Sequence, residues 1–186
     1  MDVSDTIGND TCSECWNDEK QFVIKLSKEL NISSIGGRAS VTLFANMAEL
    51  KVTFSEGTIP STFESAVEAL PFWGGATQVD EGLQVAYDEM FQTSNGMRLS
   101  TSKTLILITD GKQLGVNYPL WRTKFNNAKI RVVVVGVGSN VNQEDLRDLV
   151  YSSNDFHLAD DFNTLRDVNF IKNIKICDGR LYIILF

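Results

Sequence analysis

The sequence predicts an α/β fold: a doubly wound, mostly parallel sheet with one antiparallel edge strand and helices on both faces. Three observations carry this. Short apolar runs alternate along the chain with longer stretches in which apolar residues recur every third or fourth position. Two of the short runs, residues 104–108 and 132–135, show no polar alternation, as parallel strands covered on both sides require. A third, residues 49–54, does alternate, with Leu50, Val52 and Phe54 against Glu49, Lys51 and Thr53. One face of that strand is therefore solvated or half covered, which places it at an edge.

The elements follow in order. Phe22, Val23, Leu26 and Leu30 repeat at helical spacing and predict a first helix over residues 18–30. Residues 38–45 and 49–54 read as two strands joined through residues 46–48 as a hairpin. Ser61 with Glu64 makes a capping box, behind which Phe63, Ala66, Val67 and Leu70 face inward. After the Gly74-Gly75 break, Val79, Leu83, Ala86, Tyr87 and Met90 form the stripe of a longer helix, with Thr77 a candidate N-cap. A helix over residues 119–128 separates the two parallel runs, and Asn142 starts another with Leu146, Leu149 and Val150 inside. A short strand at residues 156–158 holds His157, the chain's one histidine, in a structural role. A last helix with Phe162, Leu165 and Val168 begins after Asp160-Asp161, whose carboxylates complement its dipole. Trp16, Trp73 and Trp121 are expected to pack in or at the rim of the core.

Length and charge narrow the function. A chain of 186 residues makes a single domain, residues 1–186, long enough to bury a substantial core. With 43% hydrophobic and 22% charged residues it is not a disordered segment. No apolar run approaches the roughly 20 residues of a membrane helix, so membrane insertion is not expected. The 17 Lys and Arg against 24 Asp and Glu leave a net charge of −7 and no basic stripe along the sequence, which argues against nucleic acid and suits the holding of a cation. Of three cysteines, Cys12 and Cys15 have C-x-x-C spacing, but no second such pair exists for a zinc site. Two of the three are expected to pair in an oxidising compartment. The acceptor triplets Asn9-Asp10-Thr11 and Asn31-Ile32-Ser33 also point outside the cell.

In an open parallel sheet, ligands bind beyond the carboxyl ends of the strands. Directly after buried runs or turns the chain offers Thr109-Asp110-Gly111, then Gly74-Gly75-Ala76-Thr77, and at its start Asp2-Val3-Ser4-Asp5-Thr6. Asp2 and Asp110 supply two carboxylates; Ser4, Thr6 and Thr77 supply three hydroxyls. An all-oxygen set of low charge suits a hard cation such as Mg²⁺, which keeps open or water-filled positions. Two carboxylates neutralise a divalent ion and leave it electrophilic enough for one more carboxylate from outside.

These motifs resemble the von Willebrand factor A and integrin inserted-domain family. Its metal-ion-dependent adhesion site reads D-x-S-x-S, then a threonine after a glycine-rich turn, then the aspartate of T-D-G. Asp2, Ser4 and Thr6 match the first element, with threonine in the last place; Thr77 matches the second and Asp110 the third. The Val-Val-Val-Gly-Val-Gly of residues 133–138 is similar to the next family strand. The resemblance implies a non-enzymatic adhesion module in which Mg²⁺ or Mn²⁺, ahead of Ca²⁺, accepts a Glu or Asp of an extracellular or matrix protein. Collagen-binding integrin members of that family carry an extra short helix near the site; residues 112–117 are too short for one, so that mode is not expected, though other collagen-binding members lack the helix too. Asp5 is a departure that adds negative charge beside the ion.

In that family an apolar strand runs into the D-x-S-x-S loop, yet nothing apolar precedes Asp2. Residues 181–186, Leu-Tyr-Ile-Ile-Leu-Phe, read on into Asp2 would restore the pattern. The chain is therefore expected to be circularly permuted relative to the family, with residues 179–186 supplying the central strand. The rival is a piece of a tandem array whose last strand is exchanged between molecules in a dimer. Two other functions compete. A haloacid-dehalogenase-like Mg²⁺-dependent hydrolase would use D-x-D-x-T, but Ser4 stands where the acid catalyst belongs. A structural scaffold with a vestigial metal site is the third reading.

Overall fold

The computed structural model describes residues 14–110, 113–174 and the backbone of residues 182–185. Helix α1 (Cys15–Glu29) leads to the hairpin β1 (Val41–Phe44) and β2 (Ala48–Val52), then α2 (Pro60–Glu68) and α3 (Val79–Val85). Strand β3 (Lys103–Thr109), α4 (Tyr118–Asn127), β4 (Ile130–Val137), α5 (Gln143–Arg147), β5 (Phe156–Ala159), α6 (Val168–Asn173) and β6 (Tyr182–Leu185) follow. The sheet order is β2-β1-β6-β3-β4-β5. Among the described residues β1 and β2 pair antiparallel, whereas β1–β6, β6–β3, β3–β4 and β4–β5 are parallel. Among the described residues the alternating run thus forms an edge, with β1 as its strand partner.

The absence of alternation in β3 and β4 has its cause in the layers. Ile106, Ile108, Val133, Val135 and Val137 point to one face and pack with Phe22, Leu26, Phe63 and Val67 of α1 and α2. Leu105, Leu107, Val132 and Val134 point to the other and pack with Leu83, Trp121, Phe125 and Leu146 of α3, α4 and α5. Successive side chains leave opposite faces of a strand, so a strand buried on both must be apolar at every position. Each large side chain fully buried here contributes about 1.5–3 kcal/mol.

The last strand in sequence lies inside the sheet. In the parallel register Ile184 stands opposite Val41 and Ile106, and Leu185 opposite Thr42 and Leu107. The backbone of β6 thereby bridges β1 to the β3–β4 pair.

Several local expectations are corrected. Helix α2 starts at Pro60 with Ile59 in the cap position and no side-chain cap bond, so Ser61 and Glu64 form no capping box there. Proline fixes φ for the first helical turn and needs no N–H partner, which makes the box dispensable. Gln78, not Thr77, holds the N-cap position of α3. The long helix beyond it passes into a π-helical turn, Ala86–Met90, while keeping Val79, Leu83, Ala86 and Met90 buried. The final helix is two pieces, a 3₁₀ turn (Phe162–Arg166) and α6, because Asp167 adopts an extended conformation between them; Val168 is left 51% exposed. Asn142 and Asp161 do cap, accepting from the amides of Asp145 and Thr164. Trp121 is buried, and Trp16 and Trp73 pack at the core rim.

Candidate metal-ion-dependent adhesion site

The carboxyl ends of β1, β6 and β3 lie at one edge of the sheet, because the three strands run parallel. Asp110 follows β3 directly and is only 7% exposed. It lines a cleft of about 390 Å³ together with Asp18, Asp160, Asp161, Glu14 and Arg166. Five carboxylates against one guanidinium give this cleft a strong negative bias. Thr164 donates its amide and hydroxyl to Asp161, which holds that carboxylate below its usual pKa range. Arg166 is engaged in its own pairing: its Nε donates to Asp18 Oδ1 at 2.7 Å and its Nη2 to Glu14 Oε2 at 3.1 Å. That clasp fastens the start of α1 to the 3₁₀ turn and lines the cleft, and the two carboxylates hold the guanidinium above its usual range.

The loop carrying Thr77 is strapped to the same edge from the other side. The Ala76 amide donates to Asn46 Oδ1 at 2.9 Å, and the Gln78 amide donates to the Ala45 carbonyl at 3.0 Å. Thr77 sits between these two anchors, just beyond the end of β1. Gly75, at φ +105°, has no room for a side chain: a Cβ there would lie 2.4 Å from Asn46 Nδ2. The turn therefore needs glycine for both its backbone angle and its close approach. Gln113 completes the wiring. Its Oε1 accepts from the Asp80 amide at 3.1 Å, and its Nε2 donates to Gln78 Oε1 and Asp80 Oδ1. The loop after β3 is thus tied to the first turn of α3, three residues beyond Thr77.

The structure places two of the five sequence-derived candidates, Thr77 and Asp110, at the carboxyl edge. Asp2, Ser4 and Thr6 lie outside the described residues, as does Asp5. Among the described residues no group of three or more His, Cys, Asp or Glu forms a metal cage. The donor set read from sequence is compatible with that: it takes one threonine and one aspartate from the described part, not a cluster of acids. Residues 113–117 contain no helix. Sequence reading missed Asn46, Gln113 and the Arg166 clasp. Asn46 carried a signal, a turn-forming amide directly after a buried strand; Gln113 and Arg166 carried none, since their partners are 33 and 148 residues away.

Cys15 is buried and disulfide-bonded. Its candidate partners Cys12 and Cys177 lie outside the described residues. Asn31 of the second acceptor triplet is exposed on the loop after α1.

Fold and edge together define a doubly wound α/β domain with a polar, acidic cleft at the carboxyl ends of its central strands. The profile of the von Willebrand factor type A domain matches residues 1–170, and the chain belongs to that family. Similar proteins include cuticlin-6 of Caenorhabditis elegans, 27% identical over 150 residues that make up 80% of this chain and 25% of that protein. Collagen alpha-1(XXI) of Xenopus laevis is 25% identical over 86% of this chain and 16% of its own. Proximal thread matrix protein 1 from the mussel byssus shares the fold at a TM-score of 0.86 and 20% identity, over 94% of this chain and 45% of that one. A further structure of that mussel protein has a zinc-occupied adhesion site. The chain spans a quarter or less of the length of the curated relatives it matches. Its relatives are matrix and adhesion proteins; the domain is extracellular and non-enzymatic, and the hydrolase alternative falls with the family assignment. No helix among the described residues is long and apolar enough to cross a membrane.

Proposed function

We propose that the domain binds an extracellular or matrix protein through a divalent cation, Mg²⁺ or Mn²⁺, held at the carboxyl edge of the sheet. The observation that carries this is the buried Asp110 at the end of β3, set in a cleft of carboxylates whose guanidinium among the described residues, Arg166, is already paired. In this reading Asp2, Ser4 and Thr6 hold the ion from one loop, Thr77 from the strapped turn, and Asp110 directly or through water. Hydroxyl donors fit the role because they orient the ion without adding charge. Once bound, the ion supplies an electrophilic position for a carboxylate oxygen of a ligand's Glu or Asp. Asn46 and Gln113 act by fixing the Thr77 loop, so that little ordering remains to be done on binding. The surrounding acids favour the cation and exclude acidic ligands that bring no ion with them.

The same proposal treats residues 1–186 as one domain, permuted relative to its family. Support comes from the sheet order, in which β6 occupies the position next to β3, and from the family match, which ends before β6 begins. Exchange of that strand between two copies predicts a dimer, whereas permutation within one copy predicts a monomer; light scattering after size exclusion separates them, and a dimer would reject the permutation.

The test is the Thr77→Ala variant. Thr77 contributes nothing to either buried cluster, so the variant is expected to lose affinity for Mg²⁺ and for a Glu-bearing matrix ligand while its Tm stays close to the parent. Equal losses in Tm and affinity would count against the site.

A further inference from the structure

The opposite edge of the sheet gathers several cations around a set of linked clefts. Lys103 opens β3, Lys129 immediately precedes β4, and Arg131 is the second residue of β4. In the β3–β4 register Lys103 stands opposite Ile130 and Thr104 opposite Arg131, so Lys103 and Arg131 are one residue out of register and leave opposite faces of neighbouring strand ends, yet both line the cleft at that end of the sheet. Three clefts of about 240, 770 and 580 Å³ meet at Arg131. Arg122 of α4 lines the first, and Lys103 the third, with Lys129 shared between those two. Among the described residues one carboxylate, Asp155, lines the first two clefts and none lines the third, and Arg131 is already bonded to Asp155, Nε to Oδ1 at 3.1 Å. Among the described residues Lys103, Arg122 and Lys129 are in no ion pair. This basic groove is set in a chain with seven more acids than bases.

A second observation concerns Lys129 itself. It follows the Ala128 C-cap of α4 at φ 59°, the left-handed position where helices ordinarily place glycine or asparagine. A residue with a long side chain is disfavoured there. Stability alone would select glycine; an exposed ammonium at the junction of two clefts gives a reason for lysine, in the way that backbone outliers gather at binding sites.

We infer that this groove binds a sulfated polysaccharide chain of the extracellular matrix. Sulfate esters stay anionic at all physiological pH and repeat along the chain, matching cations spread over linked clefts rather than gathered in one pocket. The hydroxyls of Ser100, Thr101, Ser102 and Ser152 line the same clefts and suit hydrogen bonds to sulfate and sugar oxygens. The extracellular setting favours such a glycan over nucleic acid. The absence of a basic stripe along the sequence concealed the site, because the strand register, not sequence proximity, brings Lys103 to Lys129 and Arg131.

The test is binding to immobilised heparin as a function of NaCl, with EDTA present. Expected is a salt-dependent affinity that survives EDTA and disappears when the heparin is desulfated. Lys129→Gly and Lys103→Ala should each weaken binding several-fold and lower the slope of log K against log salt by about one. Lys129→Gly should do so with Tm unchanged or raised, because glycine suits the backbone angle. The inference is overturned if both variants bind heparin like the parent, or if desulfated heparin binds as well. It is equally overturned if EDTA abolishes binding, or if duplex DNA or phosphatidylserine vesicles bind as tightly and respond to the same variants. None of these outcomes depends on the metal site at the other edge.

Discussion

The two edges of the sheet differ in charge and in how they are built. At the carboxyl edge, carboxylates converge in a cleft, and the Thr77 loop and the start of α3 are held by backbone amides that donate to Asn46 and Gln113. At the amino edge, cations project from strand ends and a strained helix exit, and among the described residues Arg131 is the one in an ion pair, with Asp155. A parallel sheet makes such a division possible, because every strand end of one kind emerges at one edge. One domain can therefore hold a cation and meet a polyanion without the two charges cancelling.

Substitutions at each edge should behave differently. Gly75→Ala attacks the carboxyl edge most severely: positive φ and the Asn46 contact together should cost about 1–3 kcal/mol of stability, read by denaturant unfolding, and metal affinity should fall with it. Arg131→Ala at the amino edge leaves Asp155 without its guanidinium partner. A loss of about 1–2 kcal/mol is expected, moderated because Arg131 is 35% exposed, with cation binding unaffected. Gln113→Ala should leave stability within about 0.5 kcal/mol yet weaken metal-dependent binding roughly tenfold, as outer-shell positioning residues do. A Gln113→Ala variant with parental affinity would mean that the Thr77 loop holds itself.

The smallest effect concerns pH. Burial lowers the His157 pKa below its ordinary 6.5, with Arg131 acting in the same sense and Asp155 opposing. The folded state then binds the proton less readily than the unfolded one. The stability this contributes is present above about pH 6.5 and is lost as pH falls through the depressed folded value. His157→Gln should flatten the unfolding free energy between about pH 6.5 and 5; an unchanged slope would assign it to other groups.

Much of the fold was legible because it rests on periodicity. The apolar runs of β3 and β4, the alternation in β2 and the stripe of α1 each follow from which faces are buried. Local chemistry was less reliable: Ser61 and Glu64 had the right spacing for a box, but Pro60 had already set the helix start. Val168 fitted a helical stripe and is nonetheless exposed, because the extended Asp167 resets the helix phase just before it. Asp110 and Thr77 could be singled out because each follows a recognisable structural break. Gln113, Arg166 and the basic groove could not, since their meaning depends on register and on partners distant in sequence.

Titration calorimetry with Mg²⁺ on the parent chain and on Asp110→Asn is the most direct trial of the carboxyl-edge site. One ion per chain should bind the parent, and the variant should lose affinity by more than the roughly 10–100-fold that outer-shell changes cost, with its Tm within a few degrees. Identical isotherms for the two proteins, or no heat of binding from either, would contradict the account.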